Sequence, residues 1–139
     1  MATVERTRVR IIAPAVLPVT IEAARDALRA DGTALDVGIT AWLEGATAQV
    51  EHEIGQCLIE QVWEVRQNMF TERIPLPHPV MSIESITYID SAGSERSLLA
   101  TDYLLVKKRY ESYLVPAYGA SWPAARCHIG SVRISVRCG

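Results

Sequence analysis

The spacing of apolar residues changes at Cys57, and this change constrains the fold more than any other feature of the chain. Upstream, Ile39, Trp42, Leu43, Ala46, Val50 and Ile54 recur at steps of three and four, the spacing that puts residues on one face of a helix. Downstream, Trp63 and Val65 alternate with Glu64 and Arg66, the period of two expected of a half-buried strand. The sequence therefore predicts helices before this point and strands after it. Thr20 is a fitting N-cap for a first helix carrying Ile21, Ala24 and Leu28, with Glu22 in its first turn and Asp31-Gly32 as its stop. Asp36 can cap the second helix and Gly55 ends it. The expected class is α+β: an N-terminal antiparallel helix pair over residues 20–55, then a small, mainly antiparallel β region over 57–139, all in one domain spanning 1–139.

Within the β region, Pro75, Pro77 and Pro79 fall on every second residue and cannot donate to a ladder, which predicts an edge or an extended crossing. Ile83 to Asp90 reads as a strand, Asp90-Ser-Ala-Gly93 as a hairpin loop, and Glu95 to Leu99 as the return. Leu104 to Lys108 and Tyr113 to Val115 flank a turn at 109–112. Val132, Ile134 and Val136 alternate with Arg133, Ser135 and Arg137 in a last strand.

The 139 residues suit one domain, and 49% apolar content with 22% charged residues can build a core. Five Tyr and three Trp against a single Phe favour half-buried and interfacial positions, because both rings carry a polar handle. Arg6, Arg8 and Arg10 followed by Ile11 to Leu17 mimic an export signal. The apolar run is short and interrupted by Pro14, so a soluble protein made in the cytoplasm and no membrane association are expected. Cys57, Cys127 and Cys138 contain no CxxC pair and are expected as reduced thiols. Net charge is −2 but uneven. Residues 1–21 carry +2; residues 22–60 carry −6, from eight acids and two bases; residues 61–139 carry +2, from nine bases and seven acids.

Chemical motifs are scarce. Gly119-Ala-Ser121-Trp122-Pro123 lacks the second glycine of a nucleophile elbow and no helix follows it. His52, His78 and His128 stand apart, with no HExxH spacing, and Cys127-His128 would point to opposite faces of a strand. The eight glycines form no phosphate-binding loop. No enzyme activity, metal or cofactor is expected. Lys107, Lys108 and Arg109 with Tyr110 form one basic cluster at an expected hairpin tip. Such a tip suits either simple solvation or contact with an acidic partner or DNA phosphates.

Four blocks carry a resemblance: PVTIEAARDALR (Pro18 to Arg29), LIEQVWEV (Leu58 to Val65), IPLPHPVMSIESITYIDSAG (Ile74 to Gly93) and VPAYGASWPAARC (Val115 to Cys127). In this order they resemble the tailed-phage head-tail connector (adaptor, or head completion) family, and the last block is the most specific. The resemblance implies a siphovirus-like structural virion protein of the phage neck, made in a bacterial host. It would assemble with identical subunits as a ring of about twelve copies beneath the portal protein, through two different faces of each subunit. It implies further partners as well: a stopper or tail-completion protein below, and genomic DNA passing through the channel without sequence-specific binding. Two departures stand out: Gly55-Gln56 where the family has Gly-Arg, and a stop at Gly139 where relatives continue into a helical C-terminal segment. By this analogy Tyr118 and Trp122 are half-buried anchors and Lys107, Lys108, Arg109 and Tyr110 a projecting contact loop. A stopper or tail-completion protein is the alternative role, and a small enzyme with an unfamiliar site a more distant one.

Overall fold

The computed structural model describes residues 3–139. Its elements are, in chain order, β1 (Arg6–Ile12), α1 (Ile21–Leu28), α2 (Asp36–Ile54), β2 (Gln61–Gln67), β3 (Ile74–Leu76), β4 (Val80–Ile89), β5 (Glu95–Ser97), β6 (Tyr103–Lys107), β7 (Ser112–Pro116) and β8 (Val132–Cys138). The expected α+β class with a leading helix pair is corrected by this order. A strand comes first, strands make up 37% of the chain against 20% helix, and two antiparallel sheets make the fold mostly β. The sequence hides β1 because its inward-facing alternate positions are arginines, so the alternation reads as a basic flank instead of a strand.

A five-stranded sheet has the order β1-β2-β8-β4-β5, and a three-stranded sheet the order β3-β7-β6. The long β8 lies in the middle of the first, between β2 and β4. Its alternate residues Val132, Ile134, Val136 and Cys138 are fully buried. Residues paired across antiparallel strands share a face, so the register places Val65, Trp63, Ile86, Ile83, Val80 and Tyr88 beside them. On β4 these positions are spaced three, three and two apart. Irregularities between Val80 and Ser82 and between Ile83 and Ser85 absorb the extra residues and keep the apolar set on one side. Ile74, Leu76 and Leu114 of the smaller sheet close the same core.

The helical segment begins and ends close to expectation. Thr20 caps α1, its hydroxyl accepting from the Ala23 N–H at 3.2 Å. The helix stops earlier than Asp31-Gly32, at Arg29 in the left-handed region, with the Ala30 N–H bonding back to the Arg25 carbonyl. Leu35, not Asp36, occupies the N-cap of α2. Asp36 is the first helical residue and takes a forked ion pair from Arg25, joining the two helices. Gly55 ends α2 at φ 67°, a conformation that costs a residue with a Cβ and suits glycine.

Both hairpins form where expected. Asp90 closes the first by accepting from the N–H groups of Ala92 and Ser94, with Gly93 at φ 86°. The second joins β6 and β7 across 108–111. Of the three prolines, Pro75 sits in the edge strand β3, and the His78-Pro79 bond is cis.

Candidate assembly interface

The residues singled out in sequence fall in two places. Lys107, Lys108, Arg109 and Tyr110 are exposed at the β6–β7 tip. Lys108 and Arg73 share the Glu111 carboxylate, at 3.3 and 3.5 Å, and the Glu111 hydrogen bond is the main cause of a raised Lys108 pKa. Arg73 lies 3.7 Å over the Tyr113 ring, and Arg109 lies 5.1 Å over the Tyr110 ring. Lys107 and Arg109 have no carboxylate partner among the described residues. The tip therefore presents two free cations and an exposed aromatic ring.

Its base is tied down by His78, a residue that no sequence motif singled out. His78 donates from Nε2 to the Arg109 carbonyl at 3.0 Å, and its Nδ1 bonds the Ser112 hydroxyl at 2.7 Å. Its own carbonyl accepts from the Cys57 N–H at 2.7 Å, tying the end of the helical segment to the same point. A serine paired with a histidine resembles a nucleophile and base. Ser112 is only 2% exposed and His78 7%, and the second ring nitrogen is already engaged. The arrangement holds the hairpin.

Tyr118 and Trp122 part company. Tyr118, expected half-buried, is wholly exposed on the loop after β7. Trp122 is half-buried: it stacks on Phe70 at 5.0 Å, Phe70 meets Tyr88 edge-on at 5.5 Å, and the indole N–H donates to the Thr71 carbonyl at 2.7 Å. It fixes the loop to the core.

The larger exposed apolar surface was not foreseen. The periodic apolar set of α2 is only partly covered. Ile39 is buried, Leu43 is half-buried, and Trp42 (70% exposed), Ala46, Val50 and Ile54 face solvent. Contiguous exposed apolar residues of this kind mark protein contacts. The side of α2 opposite Trp42 and Ala46 walls two adjoining clefts of about 580 and 690 Å³, which share Arg10, Ala48 and Glu51. One is floored by Arg8, Arg10 and Trp63; the other is bounded by the apolar segment 13–19. The β1–β2 register puts Arg6, Arg8 and Arg10 opposite Gln67, Val65 and Trp63, on the core-facing side but beyond the covered core. Arg6 donates to the Gln67 side chain. Arg8 and Arg10 have no ion-pair partner among the described residues. Although Arg8 as a residue is exposed, crowding around its guanidinium, and after it the charge of Arg6, lowers its pKa. No cluster of potential metal ligands occurs among the described residues, and no helix is long and apolar enough to cross a membrane.

At the inner end of this cleft, the thiols of Cys57 and Cys138 approach to 2.8 Å. Either sulfur can donate in this contact, and the hydrogen bond lowers the pKa of Cys57 and raises that of Cys138.

Neither a protein-family model nor a curated protein matches this chain. Solved structures do. A chain from the neck of an empty gene transfer agent (GTA) particle, computed with C6 symmetry, aligns at TM-score 0.68 and 22% identity, over 91% of this chain and 69% of its own. A chain of the native GTA virion aligns at TM-score 0.70 and 23% identity, covering 93% and 71%. One from the native GTA neck, computed with C12 symmetry, aligns at 0.65 and 24%, covering 93% and 69%. At these identities the likeness is one of fold, and it runs through nearly the whole of this chain.

Proposed function

We propose that this chain is a non-catalytic subunit of the neck of a phage-like particle, an adaptor that forms a ring of identical copies between head and tail. The observation that carries the reading is the shared fold, over more than nine-tenths of the chain, with neck chains of particles described with sixfold and twelvefold symmetry. The four sequence blocks resembling the head-tail connector family support the same role. So do the surfaces: the exposed Trp42 with its apolar neighbours on α2, a cleft lined by Arg8 and Arg10, and a cationic hairpin tip are features of a protein that docks. In this role the ring sits beneath the portal and extends the DNA channel, with a stopper or tail-completion protein below. Lys107, Lys108, Arg109, Tyr110 and Tyr118 are then contact residues.

Native mass spectrometry of the purified chain, with and without the portal protein of the same particle, tests the proposal. A ring of identical copies that binds the portal is expected. A strict monomer that joins no portal or tail complex overturns it. Labelled protein located away from the portal in assembled particles would favour a stopper or tail-completion role instead.

A further inference from the structure

A closed ring of identical subunits needs a heterologous interface, in which two different surfaces of one subunit meet in succession. Helix α2 supplies two such surfaces on opposite sides. At about 100° per residue, the outer positions Trp42, Ala46, Gln49 and Glu53 lie about 180° around the helix from Thr40, Thr47, Ala48 and Glu51, which line the clefts. The outer side carries the exposed Trp42 and Ala46, and it ends in a carboxylate. Glu53 is exposed and in no ion pair among the described residues; its one partner is the neutral Gln49 amide at 3.0 Å. The inner side faces a concavity in which Arg8 and Arg10 stand in no ion pair among the described residues, while the carboxylate beside them, Glu51, accepts instead from the Leu58 N–H at 2.7 Å and the Gln61 amide at 2.9 Å. The cleft thus keeps an excess of positive charge, and the outer side an unpaired carboxylate.

Resting on the ring reading above, we infer that the Trp42–Ala46 side of α2 in one copy seats in the β1–α2 cleft of the next, with Trp42 as the anchor and Glu53 facing Arg8 and Arg10. A second copy fits this cleft better than nucleic acid because the adjoining cleft is bounded by Ala13, Pro14, Val16, Leu17 and Val19, an apolar lining that a phosphate backbone would leave unsatisfied. Glu53 set against Arg8 and Arg10 would fix register and suppress wrong pairings. The lowered Arg8 pKa agrees, since a crowded guanidinium without a carboxylate gains from receiving one.

The test uses two variants of the full chain, Trp42→Glu and the double change Arg8→Glu/Arg10→Glu, with sedimentation velocity as the readout, alone and on the portal. Trp42→Glu spoils only the Trp42–Ala46 side and Arg8→Glu/Arg10→Glu only the cleft. Each alone should weaken self-association at least about tenfold, the effect of losing one anchor contact. Their equimolar mixture should recover a 1:1 dimer and nothing larger, because one good interface remains and the ring cannot propagate. If the glutamate pair disturbs the edge strand, as circular dichroism would reveal, Arg8→Gln/Arg10→Gln replaces it. Folded variants that assemble like the wild type overturn this inference and leave the ring reading intact. A mixture without dimers also overturns it. If the arginine variant assembles normally but loses salt-sensitive DNA binding, the cleft belongs to nucleic acid and the inference falls. A wild-type chain that stays monomeric both alone and with portal removes the ring reading, and this inference with it.

Discussion

Replacing Trp122 with alanine separates a core role from a contact role for the Val115–Arg126 loop. The side chain is half-buried, stacked at 5.0 Å on Phe70, and its N–H holds the Thr71 carbonyl at 2.7 Å. Full burial of such a ring would place the cost of truncation at about 3–5 kcal/mol. Partial exposure lowers the transfer contribution, while the lost stacking, about 0.5–1.5 kcal/mol, and the hydrogen bond, about 1 kcal/mol, remain. A destabilisation of about 3 kcal/mol is expected. With a urea m-value of about 2 kcal/mol/M, this moves the unfolding midpoint by about 1.5 M. Tyr118→Ala is the control: its fully exposed ring should change stability by no more than about 0.5 kcal/mol. A shift below about 1 kcal/mol for Trp122→Ala, combined with lost self-association, would refute the core role and make the residue a contact.

The remaining expectations follow from individual contacts. Ile134→Ala, in the middle of the central strand β8 and fully buried, should cost about 3–4 kcal/mol in urea unfolding; less than about 1.5 would contradict the assigned core. The hydrogen bonds from Arg25, more than its charge, hold the Asp36 carboxyl below the usual carboxylate range. Its contribution is therefore present above that range and lost as pH falls through the folded value. Thermal unfolding of Asp36→Asn between pH 7 and 3 should show a shallower loss than wild type, and identical slopes would discount the pair. Cys138→Ala removes the hydrogen-bond partner that lowers the Cys57 pKa, so alkylation of Cys57 near pH 8 should slow as its pKa rises; an unchanged rate, followed by peptide mass spectrometry, would count against the thiol contact.

Much of the local structure could be read in the sequence because its causes are local. Thr20 caps and Gly55 terminates because hydroxyl geometry and the freedom of glycine act within a few residues. The loops after Asp90 and Lys107 turn for similar reasons. The period-two pattern at Val132, Ile134 and Val136 gives the last strand at once, since all three are covered by one core. The candidate site was only partly readable. Lys107 to Tyr110 project at a tip as their charge suggests, whereas the position of Tyr118 depends on a loop whose path is set elsewhere. The periodicity of α2 left open whether its apolar residues are core or surface, because it records which residues share a face, not what covers that face.

The amino-acid sequence by itself determined two helices, the change to strands at Cys57, both hairpins and the alternation of the final strand, all set by steric and hydrogen-bonding preferences of neighbouring residues. Only the tertiary structure decided that residues 6–12 form a strand, because their partner β2 lies some fifty residues away and inward-facing arginines mask the pattern. It also decided that bulges in β4 align Val80, Ile83 and Ile86, and that His78 reaches Ser112 across 34 residues of chain. Last, it set the rotation of α2, which buries Ile39 and leaves Trp42 outside. Burial is a property of the assembled surface, and no local segment carries the information about what will cover it.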